Sequence, residues 1–417
     1  IAFASILAGE HAMRHEVYSH PTRLGDVLQT LPEAFANAGY ETFFWEHQRM
    51  GSVALNYGQG VDSANAFARR SLVAEDPKFL AVLKRLAEDE SYKAFIVSFD
   101  SSLTHGPYKK DSLGQFCRRY PSHCAGIDPA DAAPVYRHRR ALAYDFPNAS
   151  REQGLVGEKL ERVVAAVEMI YKSRVSYLDD VYGGIAAAVE RFDLDDESVL
   201  AFTADHGETL YREESLFKWS HGFALAPEVI NVPFIVRAPD LRPGRHPAVS
   251  SSVDVFPTLA ALAGVPIEEG QASRGRNLLA APPERPEYPV AFTHTSMRSP
   301  GRGRAWVSQA HFLKYHPRYD PELIWTAVRS DDLVVKHRAD AKGEFFHEAF
   351  DLGRDPHESR DIFDPQDLAH RALVALLEAY RRELLDAHVD PREGVRKEHQ
   401  PDEATMRQQL RALGYID

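Results

Sequence analysis

Helix-period and strand-like apolar runs alternate through the first 270 residues, an order that restricts the chain to a largely parallel α/β sheet with helices on its faces. The spacing predicts a helix over residues 32–38, ended by Gly39, and a strand over residues 41–45 (ETFFW). A second helix is expected over residues 77–88, with Phe79, Leu80, Val82, Leu83 and Leu86 on one face, followed by a strand over 94–100. A long helical stretch, 160–192, with a bend at Gly183-Gly184, feeds the apolar strand 199–204 (VLAFTA). A further strand over 234–237 follows Pro233. Asp254 stands where an N-cap belongs, ahead of Pro257 in the first turn of a helix closed by Gly264.

Composition changes near residues 268–289, which are rich in Gly, Pro and charge and read as the passage to a smaller unit. That unit holds short β-type runs at 325–329, 333–336 and 345–350. In its late helix Leu373, Val374, Leu376, Leu377, Tyr380 and Leu384 recur at helical spacing and are expected to pack on a sheet. The organisation expected is an α/β domain over 1–270, a sheet-and-helix subdomain over 285–390, and a charged tail over 391–417.

Several function classes are excluded. Lys and Arg total 49 against 61 Asp and Glu, a net charge of −12, and no basic stripe is available to neutralise phosphates, so no nucleic-acid partner is expected. No run approaches the ~18 consecutive apolar residues of a membrane span. Two cysteines, Cys117 and Cys124, permit neither a disulfide scaffold nor a four-thiolate zinc site, and are read as free thiols rather than a local pair. The chain opens on IAFASILAG without a Met or a charged preceding region, which is read as a truncated or processed start. No compartment can be read from it, and the oligomeric state is equally silent.

The local signal that most suggests chemistry is FTADHGE, residues 202–208. An apolar strand runs straight into Asp205, His206 and Gly207, and ligand sites of open α/β sheets lie off the carboxyl ends of strands. A carboxylate and an imidazole projecting there can hold one divalent metal, with Gly207 allowing the sharp exit; the alternative is a helix-capping Asp beside a satisfied His. His221, in KWSHG with Lys218 nearby, can face an anionic substrate, or be a surface loop residue. His105, in THGPY after another apolar strand, is expected at the same sheet edge, or is a turn histidine. His47 follows ETFFW and can reach the site edge, whereas His11, His15 and His20 fit no metal spacing and read as loop residues. The carboxylates Asp179, Asp180 and Asp193 to Glu197 read as solvated. There is no phosphate loop, GxSxG or HExxH motif.

Taken in order, these segments resemble the sulfatase family of the alkaline phosphatase superfamily. FASILAGEHAMRHEV resembles the stretch RASLLTGRYPHRHGV just after the family's nucleophile, and LPEAFANAGYETFFW resembles TLAEYLKEAGYRT. THGPY and FTADHGE match the substrate-histidine and metal-strand segments, and HGFALAPEVINVPFIVRAP resembles the family's next loop and strand. SSVDVFPTLAALAGVP, AVRSDDLVVKH, FDLGRDPHESRDI and LRALGYID continue the likeness to the carboxyl terminus. FFWEHQRMG departs from the family's GKWHLG, so that pair of substrate contacts is not carried over.

The resemblance implies a mainly parallel sheet flanked by helices, with a smaller carboxyl-terminal α+β subdomain. It implies a metal-dependent hydrolase of sulfuric esters on small molecules or carbohydrates. Asp205 and His206 would be metal ligands, while His105 and His221 would contact the sulfuryl or phosphoryl oxygens and act in catalysis, with Lys218 beside the substrate. The cofactors implied are one divalent ion, Ca or Mn or else Zn, and a formylglycine nucleophile or its Ser or Thr counterpart. That nucleophile is expected just before Ile1, with the opening strand and its metal carboxylates further upstream. Two other readings stay open. One is a phosphodiesterase, phosphonate monoester hydrolase or phosphoglycerol transferase of the same superfamily, which the imidazole in Asp205-His206 favours. The other is a non-catalytic relative.

Overall fold

A computed structural model describes residues 2–15, 17, 24–46, 55–66, 73–100, 103–144, 146–213, 218–221, 225–246, 248–272, 274–280, 291–294, 325–339 and 345–386. Its first sheet contains three parallel strands in the order β2-β1-β3: β1 is Glu41–Glu46, β2 Ser63–Ala66 and β3 Ala94–Phe99. Successive residues of β1 point to opposite faces, and both faces are apolar. Phe43 and Trp45 pack with Ile96 of β3, with Phe79, Val82 and Leu83 of the helix Pro77–Glu88, and with Val189 of the long helix Gly157–Arg191. On the opposite face Phe95 joins Leu31 and Phe35 of the helix Leu31–Asn37 and Phe256 of the helix Val255–Leu262. The expected layering of helices on both faces of a parallel sheet is present.

The Gly183-Gly184 pair does not divide the long helix, which runs unbroken for 35 residues, about 52 Å at 1.5 Å per residue. β4 (Leu200–Thr203) pairs antiparallel with β5 (Phe234–Arg237), the antiparallel exception in an arrangement expected to be largely parallel. Among the described residues β3 pairs only with β1 and β4 only with β5, and both strands line one cavity of about 1710 Å³.

The second sheet region is antiparallel, in the order β6-β7-β8-β9: Ala291–His294, Thr326–Arg329, Leu333–Ala339 and Phe345–Asp351. One face packs Val328, Val335 and Ala349 against Leu373 and Leu377 of the helix Leu368–Asp386, while Leu376 of that helix is exposed. The other face packs Trp325, Ala327 and Phe350 on Leu225, in the segment that comes after His221. Among the described residues no helix is long and apolar enough to cross a membrane. The expected tail, 391–417, lies outside the described residues.

One expectation is corrected and a second refined. Cys117 and Cys124 are disulfide-bonded, not free. The helix Leu113–Arg119 ends and the chain turns through Pro121–His123, which brings their Cα atoms to 5.6 Å. Asp254 stands at the N-cap of the helix Val255–Leu262 as expected, but its side chain makes no capping hydrogen bond there. It closes a capping box with Ser251, and its buried carboxylate accepts from the Arg276 N–H at 2.8 Å and from Arg276 Nη2 at 3.1 Å. The carboxylate ties two chain segments together instead of satisfying the helix end.

Candidate active site

Three chain segments converge on the large cavity. The first leaves β3 and carries His105. Its course is fixed from below by Arg174, a fully buried guanidinium on the long helix. Arg174 Nε donates to the Leu103 carbonyl at 2.8 Å, and its Nη1 pairs with the Asp111 carboxylate and reaches Ser112 Oγ at 3.3 Å. A buried charge held this way is costly to leave unpaired, so it orders the loop around it.

The second segment leaves β4 with Asp205, His206, Gly207 and Glu208. Gly207 is required by a close approach of main chains. A Cβ there would lie within the contact distance of the Glu228 carbonyl, while the Gly207 N–H donates to the Val229 carbonyl at 2.8 Å. The third segment carries His221. Thr209 and Ser220 form a two-way bridge (2.9 and 3.1 Å), and the Trp219 N–H donates to the Leu210 carbonyl at 2.7 Å. That clamp sets His221 against Glu208.

The three imidazoles form a row. His221 stacks on His206 with ring centroids 4.2 Å apart, and meets His105 edge-on at 4.7 Å. Each ring commits Nδ1 to an oxygen. His105 Nδ1 donates to the Gly106 carbonyl at 2.6 Å, His206 Nδ1 to the Gly207 carbonyl at 2.8 Å, and His221 Nδ1 to Glu208 Oε1 at 3.2 Å. Carbonyls and carboxylates only accept, so Nδ1 carries the hydrogen in each, leaving Nε2 as the atom available to a ligand. Burial alone would raise the pKa of Glu208, but the charge and hydrogen bond of His221, with His105 and Arg139, outweigh it and hold that carboxyl at about 2. Burial, followed by the neighbouring His221, pushes His105 down to about 4.

Asp205 Oδ2 lies 3.6 Å from His206 Nε2, and its Oδ1 accepts from the His206 N–H at 3.0 Å. A separation of 3.6 Å fits two ligands of one ion at roughly 2.0–2.2 Å from each. The carbonyl behind His206 is the outer-shell partner that fixes the tautomer of a metal-binding imidazole. The pair therefore fits a divalent cation, and one carboxylate with one imidazole suits manganese or zinc better than calcium.

Other residues singled out in the sequence lie elsewhere. Lys218 does not face a substrate. Its side chain is buried, donates to the carbonyls of Arg212 and Glu213, and sits over the rings of Phe146 and Tyr211. Lys218 is turned inward and does not line the cavity, whereas His221, three residues on, does. His15 is buried between Ser5 Oγ and the Val17 N–H, each at 3.0 Å, and lies in a helix rather than a loop, while His11 is a loop residue that packs on Phe292 and Tyr380. His20 and His47 lie outside the described residues. Asp180 pairs with Arg119 at 2.9 Å, and Asp195 with Arg237 at 3.2 Å, both at the surface. Glu208 and Arg174 went unassigned in the sequence. Glu208 adjoins a legible motif, whereas an Arg in mid-helix carries no local signal.

Comparison with known proteins agrees with this architecture. The profile of the family described as Sulfatase matches residues 2–265. The chain belongs to the sulfatase family. It is 27% identical over 238 residues to a choline-sulfatase from Rhizobium meliloti (strain 1021), covering 55% of this chain and 43% of that protein. It is 25% identical over 371 residues to the multifunctional alkaline phosphatase superfamily protein PehA from Trinickia caryophylli, covering 84% of this chain and 59% of that protein. The chain thus spans about half the length of these relatives. A solved structure described as a complex with its substrate D-glucosamine-2-N,6-O-disulfate superposes with a TM-score of 0.60 at 16% identity, covering 94% of this chain and 89% of that one. The phosphonate monoester hydrolase of Agrobacterium radiobacter gives 0.57 at 16% identity, covering 92% and 85%. These last two establish the fold, the alkaline phosphatase-like sheet with its separate carboxyl-terminal antiparallel region.

Proposed function

We propose that this chain carries the metal-holding and proton-donating side of a sulfuric-ester hydrolase acting on small-molecule or carbohydrate sulfates. The observation that carries the reading is the row His105–His221–His206 beside Asp205, with every Nδ1 committed and every Nε2 available at the strand ends. Asp205 and His206 would hold a divalent ion, which when bound would supply Lewis-acid polarisation of the ester and offset charge on the sulfuryl group. His105 and His221 face the sulfuryl oxygens. Glu208, ionised and buried, accepts from His221 Nδ1 and so holds the ring with its Nε2 towards the departing alkoxide oxygen, where it can serve as the proton donor.

Relatives lend support at the level of substrate class: one is called a choline-sulfatase, and one structure holds a sulfated glucosamine. The test is hydrolysis of 4-nitrophenyl sulfate by the full gene product. The expected result is turnover that chelation abolishes and added manganese or zinc restores. Turnover insensitive to chelation and to Asp205→Asn would overturn the metal assignment. The Asp-His donor pair favours a second reading, a phosphonate or phosphate diester as substrate. A kcat/KM for 4-nitrophenyl phenylphosphonate exceeding that for the sulfate would establish it.

A further inference from the structure

The carboxyl-terminal sheet holds a second group of metal-type donors, none of which lines the cavity. His337 of β8 and His347 of β9 stand directly opposite each other in the antiparallel register, on the face covered by the terminal helix. That helix projects Glu378 onto them. His337 Nδ1 lies 3.4 Å from His347 Nε2, and Glu378 Oε1 lies 3.9 Å and 3.5 Å from those two nitrogens. All three side chains are partly buried, the carboxylate most open to solvent.

We propose that His337, His347 and Glu378 form a zinc-type cation site that fastens the β8–β9 hairpin to the helix Leu368–Asp386. Tetrahedral ligands at about 2.0–2.1 Å from a zinc ion stand about 3.3–3.4 Å from one another. The two nitrogens and one of the carboxylate distances already match that spacing, and the third needs to close by about 0.5 Å. The rings are preset: His337 stacks on Phe345 at 4.9 Å with planes 13° apart, and His347 lies 5.5 Å from Phe363. Side-chain exposure of 41% at Glu378 leaves room for water as a fourth ligand. Arg381 Nε, 3.9 Å from the same Glu378 oxygen, opposes any cation, and the guanidinium is itself tied to Thr326 Oγ1 at 3.2 Å. Affinity must therefore come from imidazole ligation, which selects zinc and its first-row neighbours over calcium or magnesium.

The test is metal counting on the full chain, stripped with chelator and then dialysed against zinc chloride, with His347→Gln and Glu378→Gln beside the wild type. Asp205→Asn in all three backgrounds removes the cavity site from the count. The expected result is one zinc per chain in Asp205→Asn, and its loss in both double variants, with unchanged far-UV circular dichroism. Zinc should also raise the melting temperature of Asp205→Asn and leave the double variants unmoved. Glu378 is solvent-facing, so Glu378→Gln keeps the test decisive if His347→Gln disturbs the hairpin. Equal zinc content and equal thermal response in Asp205→Asn and the double variants would overturn the proposal. So would the absence of zinc from Asp205→Asn. Either result would leave a hydrogen-bonded His–His–Glu group that serves only the packing of helix on sheet.

Discussion

His221 is packed between two imidazoles and pairs with the Glu208 carboxylate. His221→Ala is therefore expected to cost some stability by leaving that buried charge unpaired, and its fold is checked by circular dichroism before turnover is compared. In the full gene product it should lower turnover of activated aryl sulfates by roughly 10²-fold, the usual scale for one positioned proton donor. The loss should shrink as the leaving phenol becomes more acidic, because a good leaving group needs no proton. A loss equal across leaving groups would make His221 an oxyanion contact, and no loss at all would remove it from the chemistry. Legibility at this scale tracked the apolar runs. His105 and the Asp205-His206 pair could be picked out because each comes after a strand that the pattern already marked. His221 was reachable because it sits in the polar loop beyond. Lys218 misled because charge alone says nothing of which way a side chain turns, and the Trp219 turn buries it. Glu208 was passed over because a glutamate after a strand end reads equally well as the first turn of a helix.

The segment between β4 and the Thr209–Ser220 bridge depends on a contact that only glycine permits. Gly207→Ala would set a methyl group against the Glu228 carbonyl, a main-chain atom that cannot rotate away. The strand exit must then shift, at a cost of roughly 1–3 kcal/mol. Urea unfolding should register that loss, and turnover should fall with it because Asp205 and Glu208 ride on the same segment. A variant as stable and as active as the wild type would show that the short helix Pro227–Ile230 yields easily. Elements themselves were largely readable. The helix Pro77–Glu88 and the strand Phe234–Arg237 coincide with their sequence expectations, since both carry clear periodicity and proline boundaries. The direction of β5 was not, because periodicity fixes a strand without fixing its sense. The disulfide was missed for a related reason: seven residues of separation do not reveal that a turn at Pro121 folds the chain back.

Across the molecule, buried histidines kept neutral set how the fold meets acid. Burial, and then the positive Arg274, hold His11 down to about 4 against an ordinary 6.5, and His105 is lowered in the same way. A lowered histidine pKa means that the unfolded chain binds the proton first. Stability contributed by neutrality is therefore complete above about pH 6.5 and is lost as the pH falls towards 4. Glu208, depressed to about 2, adds a second window below its ordinary 4.5, where its stabilisation fades as protons arrive. The urea midpoint should thus drop between about pH 7 and pH 5, and drop less in His11→Gln. An equal drop in both would take His11 out of the account.

The long helix has a mechanical consequence. β3 and β4 line one cavity, and the 35-residue helix packs on both, Val189 against the residues of β1 and Tyr182 against Phe202 of β4. His105 follows β3, and the Asp205-to-Glu208 segment follows β4. The spacing between His105 and His221 is therefore set by how one long helix seats two strand ends that lie a hundred residues apart in the chain, and packing changes along that helix reach the imidazole row.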